Sequence, residues 1–115
     1  MTLHDVAVIG AGPAGSVVSR ELALAGLDVV LLEKERFPRS KVCGACIGPA
    51  AVSLLVGAGL RDVLDKGGGT ALHDLHLVHR KRRAHLPLEG NVALSRCVFD
   101  DRLVQAAGLS GAAFR

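Results

Sequence analysis

The run Gly10-Ala11-Gly12-Pro13-Ala14-Gly15 constrains what this chain can fold into more than any other stretch. It follows four apolar residues, Val6-Ala7-Val8-Ile9, whose length and branching suit a buried strand, and its glycines turn the backbone sharply into a helix. Beyond the turn, Ala14, Val17, Val18, Leu22 and Ala25 keep the spacing of one helical face, and Gly26 supplies a stop. Val29-Val30-Leu31-Leu32 reads as a second buried strand, and it ends on an acid, Glu33. The whole is a strand, helix and strand unit of about thirty residues.

Each part of that unit has a chemical use. Gly10 permits the tight turn, Gly12 lets a pyrophosphate approach the backbone without meeting a β carbon, and Gly15 lets the helix pack closely on the first strand. Pro13 suits the first helical position, where no N–H is needed. The unpaired amides of the helix start and the positive end of its dipole then face the phosphates. Glu33, eighteen residues beyond Gly15, is placed to accept both hydroxyls of an adenosine ribose. Strand, glycines, helix and acid together point to dinucleotide binding, where glycines alone would leave an ordinary Gly-rich turn open.

Composition narrows the classes further. A chain of 115 residues, half of them hydrophobic, is one domain at most with enough apolar material for a core. Three Phe and no Trp or Tyr argue against a base-stacking platform, so no nucleic-acid partner is expected. Much of the formal charge of +3 comes from Arg80-Lys81-Arg82-Arg83, read as a solvated turn. Asp5 falls too early for a signal peptide, and no stretch approaches the ~20 apolar residues that span a bilayer. Three cysteines, an odd number, suit a reducing compartment. A soluble, cytoplasmic chain is the expectation.

After Glu33, the charged and Pro-broken residues 34–41 read as a surface connection carrying four basic residues close to the phosphate site. Residues 43–48 continue as a small-residue loop. A helix is expected from Pro49 through about Ala58, with Val52, Leu55 and Val56 on one face, then a short helix over 60–66 and a break at Gly67-Gly68-Gly69. Strands are expected over 72–79 and 83–88, joined by the basic turn, with Pro87 marking an edge strand or a strand end. A third strand over 91–94 leads to Ser95 as N-cap of a helix over 96–107, with Asp100 and Asp101 in its first turn, Phe99, Leu103 and Ala106 buried, and Gly108 closing it. Ala112-Ala113-Phe114 starts another strand.

Among candidate chemical groups, Cys43-Gly44-Ala45-Cys46 is a C-x-x-C pair without a second ligand pair for zinc. Its small side chains are better read as letting the backbone approach a ligand. His73 and His79 share one strand face and His76 takes the other, so they form no compact triad and read as solvated positions. No metal site is expected. Cys97 reads as a small buried hydrophobe. Arg96, in the first turn of a helix that follows a strand, can reach an anionic ligand across the sheet end, though an exposed helix arginine remains open on this logic.

Three segments in order, Gly10 to Gly15 with Glu33, Arg36-Phe37-Pro38-Arg39-Ser40-Lys41-Val42-Cys43-Gly44, and Ser95-Arg96-Cys97-Val98-Phe99-Asp100-Asp101-Arg102-Leu103, resemble the amino-terminal part of the FAD-dependent oxidoreductases grouped with aromatic hydroxylases, geranylgeranyl reductases and flavin-dependent halogenases. The middle segment is most similar to the geranylgeranyl-reductase-like and hydroxylase branches. The resemblance implies an α/β, Rossmann-like FAD-binding fold, three-layered around a parallel sheet. The nucleotide unit would span residues 1–34, and the start of an inserted β-sheet residues 70–94. It implies that Gly10, Gly12 and Gly15, with Ala11, Pro13 and Ala14 between them, hold the FAD pyrophosphate, Glu33 the adenosine ribose, and Lys34 the neighbourhood of the adenine. Lys41, Cys43, Gly44 and Ala45 match the loop that runs along the cofactor towards the isoalloxazine, and Arg96 matches a residue at the ribityl and phosphate region. NAD(P)H or a reduced partner would supply electrons to act on a small molecule, hydrophobic or aromatic. Reductase, monooxygenase and halogenase chemistry all stay open.

Family members usually continue for some hundreds of residues beyond this point. The resemblance therefore implies an incomplete amino-terminal portion, marginally stable and with weakened FAD affinity. Two rival readings remain: an NAD(P)-dependent dehydrogenase domain, and a non-catalytic remnant or interaction module.

Overall fold

The computed structural model describes residues 2–115, which divide into two units. The first runs to Val42 and resumes at Ser95–Arg115; the second is Cys43–Leu94.

In the first unit, β1 (Val6–Ile9), α1 (Pro13–Leu24) and β2 (Val29–Leu32) form the expected strand, helix and strand, joined by α4 (Arg96–Leu109) and β6 (Ala113–Phe114). The strands lie in the order β1-β2-β6, all parallel, with Val6 opposite Val29, Ile9 opposite Leu32, and Leu31 opposite Phe114. This is the Rossmann-like arrangement. The core gathers Ala11, Val29, Leu31, Val104, Ala107 and Ala112, with Phe37 edge-on to Phe114 at 5.4 Å. The central strand β2 is buried at Val29, Val30 and Leu31 as its branched run requires. β1 lies at the sheet edge with one face open, so Ile9 is 87% exposed rather than buried.

Helix α1 buries a different face from the one its apolar spacing suggests. Val18 is half exposed, Ala14 and Ala25 are exposed, and the buried positions are Ser16 and Ser19. Small residues are needed there because α1 packs closely on β1 and α4. The Ser16 hydroxyl donates to the Ala11 carbonyl at 3.3 Å, while the buried Ser19 hydroxyl has no hydrogen-bond partner among the described residues. Ser19→Ala should therefore be neutral or stabilising by about 0.5–1 kcal/mol, read as a urea-midpoint shift, because it removes an unmet polar group without opening space.

Four expectations for α4 change. Ser95 occupies the N-cap without a side-chain capping bond; Asp100 and Asp101 lie beyond the first turn, and Asp100 is fully buried. The helix also runs through Gly108, and the positive-φ glycine that releases the chain into β6 is Gly111. Val104 and Ala107 are buried with Phe99 and Leu103, whereas Ala106 is only partly so.

The second unit holds β3 (Cys46–Ile47), α2 (Pro49–Gly57), α3 (Arg61–Asp65), β4 (Thr70–His79) and β5 (Arg82–Ala93). Its antiparallel sheet has the order β3-β5-β4. Cys46-Ile47, expected as loop, pairs with Val92 and Ala93. On α2, Leu55 is buried, but Val56 is exposed. The two strands expected over 83–88 and 91–94 are one, and Pro87 lies inside the central strand. Pro87 is tolerated because β3 is only two residues long and pairs at the far end of β5, leaving that stretch of β5 locally an edge. A bulge opposite Leu72 to Asp74 follows, with Gly90 at φ +74°.

Candidate functional site

At the carboxyl ends of β1 and β2, four segments of the first unit enclose a crevice of about 410 Å³. Ile9, Gly10 and Gly12 come from the glycine turn, Leu32, Glu33 and Lys34 from the end of β2, Arg39 and Lys41 from the connection, and Arg96 from the start of α4. Ligands bind in this place on open parallel sheets.

Gly12 is the N-cap of α1, Pro13 opens the helix, and no side chain caps it. The first-turn amides thus have no side-chain acceptor of their own. Gly10 has φ +99°, which a side chain rarely adopts. A β carbon on Gly15 would lie 1.9 Å from the Gly10 carbonyl oxygen, so that glycine serves close packing of helix on strand. One on Gly12 would meet nothing nearer than Arg96 Nη2 at 4.0 Å, which leaves open space between the helix start and a guanidinium.

Glu33 is held firmly. Its Oε2 accepts the Ala11 amide at 3.0 Å and Arg39 Nη2 at 3.3 Å, and its Oε1 accepts the Glu35 amide at 3.2 Å. Burial pushes this carboxyl up, yet the two amides and the Arg39 guanidinium outweigh burial and hold it below the ordinary glutamate value. A carboxylate has about four acceptor sites. Three are taken, so one at Oε1 remains for a sugar hydroxyl, where the sequence suggested room for two. Because its folded pKa is lowered, Glu33 contributes stability that is present above the ordinary glutamate range and is lost as pH falls through the lowered value. Urea midpoints followed downward from pH 6 should decline in that acidic window, and Glu33→Gln should flatten the decline.

Arg39 and Asp100 extend this contact into a network that sequence reading missed. Arg39, expected on a surface connection, has a side chain only 7% exposed. Its Nη1 donates to Asp100 Oδ2 at 2.9 Å, and its guanidinium lies 4.8 Å from the Phe37 ring centre. Asp100, fully buried, also accepts Arg96 Nε at 2.7 Å and Nη2 at 2.9 Å. One carboxylate therefore orients both arginines of the crevice. Glu33 and Asp100 stand against four cations, Arg39, Arg96, Lys34 and Lys41, so the site favours an anion.

Of the residues singled out in sequence, Gly10, Gly12, Glu33, Lys34, Lys41 and Arg96 meet at the crevice, Ala11 anchors Glu33, and Pro13, Ala14 and Gly15 form the first turn of α1. Cys43, Gly44 and Ala45 belong to the second unit. There Ala45 adopts φ +55°, with its amide towards Cys43 Sγ at 3.4 Å and its carbonyl accepting the Leu94 amide. The spacing of Arg96 and Asp100, four apart on a helix, was a signal for their pairing. Arg39 was expected near the phosphate site as one of four basic residues in the connection, but nothing local signalled its burial against Asp100.

Residues 4–103 match a protein family described as FAD binding domain. The chain belongs to that family. It is 36% identical to a menaquinone reductase of Mycolicibacterium smegmatis and 34% identical to conditioned medium factor receptor 1 of Dictyostelium discoideum, each match covering 96% of this chain. Its fold superposes on the flavin-dependent brominase Bmp2 with a TM-score of 0.83 at 29% identity, over 99% of this chain. The chain spans 28% of the reductase, 24% of the receptor and 29% of the brominase. The cofactor of the family is FAD, and the crevice fits it: bare amides at an uncapped helix start, space beside Gly12, an excess of positive charge, and one free acceptor on a fixed carboxylate. No helix among the described residues is long and apolar enough to cross a membrane.

Proposed function

We propose that this chain is the FAD-holding portion of a reductase-type flavoprotein, in which electrons from NAD(P)H or a reduced partner pass through the flavin to a small hydrophobic molecule. The observation that carries the cofactor part is the opposition of Glu33 and Arg96 across the start of α1. The reductase part is supported by the likeness to the menaquinone reductase along nearly the whole chain. FAD, when bound, supplies the redox chemistry. The chain positions it: the turn from Gly10 to Gly15, including Ala11, Pro13 and Ala14, takes the pyrophosphate, and Glu33 takes one ribose hydroxyl at Oε1. Lys34 lies towards the adenine, and Arg96, clamped by Asp100, neutralises the phosphate and ribityl region. Lys41 adds a further cation to the lining of the same crevice.

Thermal shift with FAD against NAD tests the cofactor assignment, because a ligand that binds only the folded chain raises its midpoint. FAD is expected to raise it and NAD to leave it unchanged; a folded chain stabilised by NAD alone would refute the reading. For the reaction class, the FAD-loaded protein is reduced anaerobically with NADPH and then offered a quinone or alkene acceptor, or oxygen. Reoxidation by the acceptor with a reduced product supports the reductase. A hydroxylated product formed only with oxygen supports the monooxygenase alternative.

A further inference from the structure

The β4–β5 hairpin has two unlike faces. On one, Leu75 stands opposite Leu86 and Leu77 opposite Ala84, an apolar stripe. On the other, the alternation of a strand puts Asp74 and His76 on the same side, and the register sets His85 directly across from His76. The two imidazole centres are 4.5 Å apart, and His85 Nε2 lies 2.6 Å from Asp74 Oδ1. One donor atom from each residue lies within 4.8 Å of the other two, and all three side chains are exposed.

We propose that Asp74, His76 and His85 form a binding site for a divalent first-row transition ion, zinc being the reference case, with water completing the coordination. Two imidazoles and a carboxylate are the donor set such ions take. A tetrahedral ion with bonds of about 2.0–2.2 Å needs its donors about 3.3 Å apart. The backbone register already holds the three on one face, so rotation of exposed side chains brings them to that spacing. The contact of His85 with Asp74 uses one imidazole, and His76, set across from His85 by the register, brings a third donor within reach. The ion would bridge the two strands beside the bulge opposite Leu72 to Asp74 and so pin the hairpin. This site is independent of the flavin reading, and it includes His85, which the expected hairpin did not single out.

The test is titration of the tag-free chain with Zn²⁺ by calorimetry and with Co²⁺ by absorption, in the unmodified protein and in a Cys43→Ser, Cys46→Ser variant, because those exposed thiols compete for the same ions. The expected result is one equivalent bound in both proteins, with no thiolate-to-cobalt charge-transfer band. His76→Ala and His85→Ala should each weaken binding at least tenfold, and His73→Ala and His79→Ala should leave it unchanged. Binding that survives His76→Ala and His85→Ala, binding that disappears in the cysteine variant, or none below about 1 mM ion overturns the proposal. Imidazole proton resonances of the unmutated chain give a second readout. Co²⁺ should shift or broaden those of His76 and His85 before those of His4, His73 and His79, and uniform or absent effects count against the site.

Discussion

Asp100→Ala should lower the unfolding free energy by about 3–5 kcal/mol, the usual cost of removing one partner from a buried ion pair. Asp100 has no exposed surface and accepts three guanidinium hydrogen bonds from two arginines. Arg96 is a quarter exposed and can turn towards water, but Arg39 is only 7% exposed and keeps Glu33 as its remaining carboxylate among the described residues. Its Nε is already buried without a partner, so there is little slack to absorb the loss. A domain of this size has roughly 5–15 kcal/mol in all, and the variant should be partly unfolded at moderate temperature. Adding Arg39→Met should recover part of the stability, since an apolar replacement removes the stranded charge. Urea unfolding followed by circular dichroism measures both. An Asp100→Ala variant within 1 kcal/mol of the parent would show that the network is not structural. FAD affinity should fall even where the variant is folded, because Arg96 loses the carboxylate that aims it.

Gly15→Ala is expected to destabilise the chain by about 1–3 kcal/mol or more, and the sign is the informative part. In a helix, alanine is favoured over glycine by about 1 kcal/mol, so propensity alone predicts stabilisation. The added methyl, however, would lie 1.9 Å from the Gly10 carbonyl oxygen and 3.4 Å from Val8 Cγ1. A backbone atom cannot swing aside as a side chain can, and relief requires α1 to lift from β1. Gly12→Ala is the contrast, three residues earlier at the N-cap of the same helix. Its β carbon meets nothing closer than 4.0 Å and its φ of −73° suits any residue, so stability should be nearly unchanged while FAD binding weakens. Measuring unfolding midpoint and flavin affinity for both variants separates a glycine needed for packing from one needed for ligand approach. Equal loss of stability in the two would contradict that division.

The strand, helix and strand unit was legible in the residues themselves. β1 and β2 occupy the expected positions, and α1 opens at Pro13, because branched apolar runs, glycine and proline act through the backbone within a few residues of themselves. The crevice at the end of those strands was legible for the same reason at Gly10, Gly12 and Glu33, whereas Arg96, left open by its own position, was pointed to by the family resemblance. What the residues could not show was the partner of each charge. Arg39 looked like one more cation in a solvated connection, yet it is buried against an aspartate 61 positions later. Likewise, α1 buries Ser16 and Ser19 in place of its valines, since close packing on β1 and α4 favours small side chains over apolar ones. Pro87 lies inside β5 because a neighbouring strand happens to end short of it. Local chemistry determined where most of the elements lie and which backbone lines the crevice. Only the tertiary structure decided which ionised groups are removed from water, because that depends on which distant segments come to share an interior.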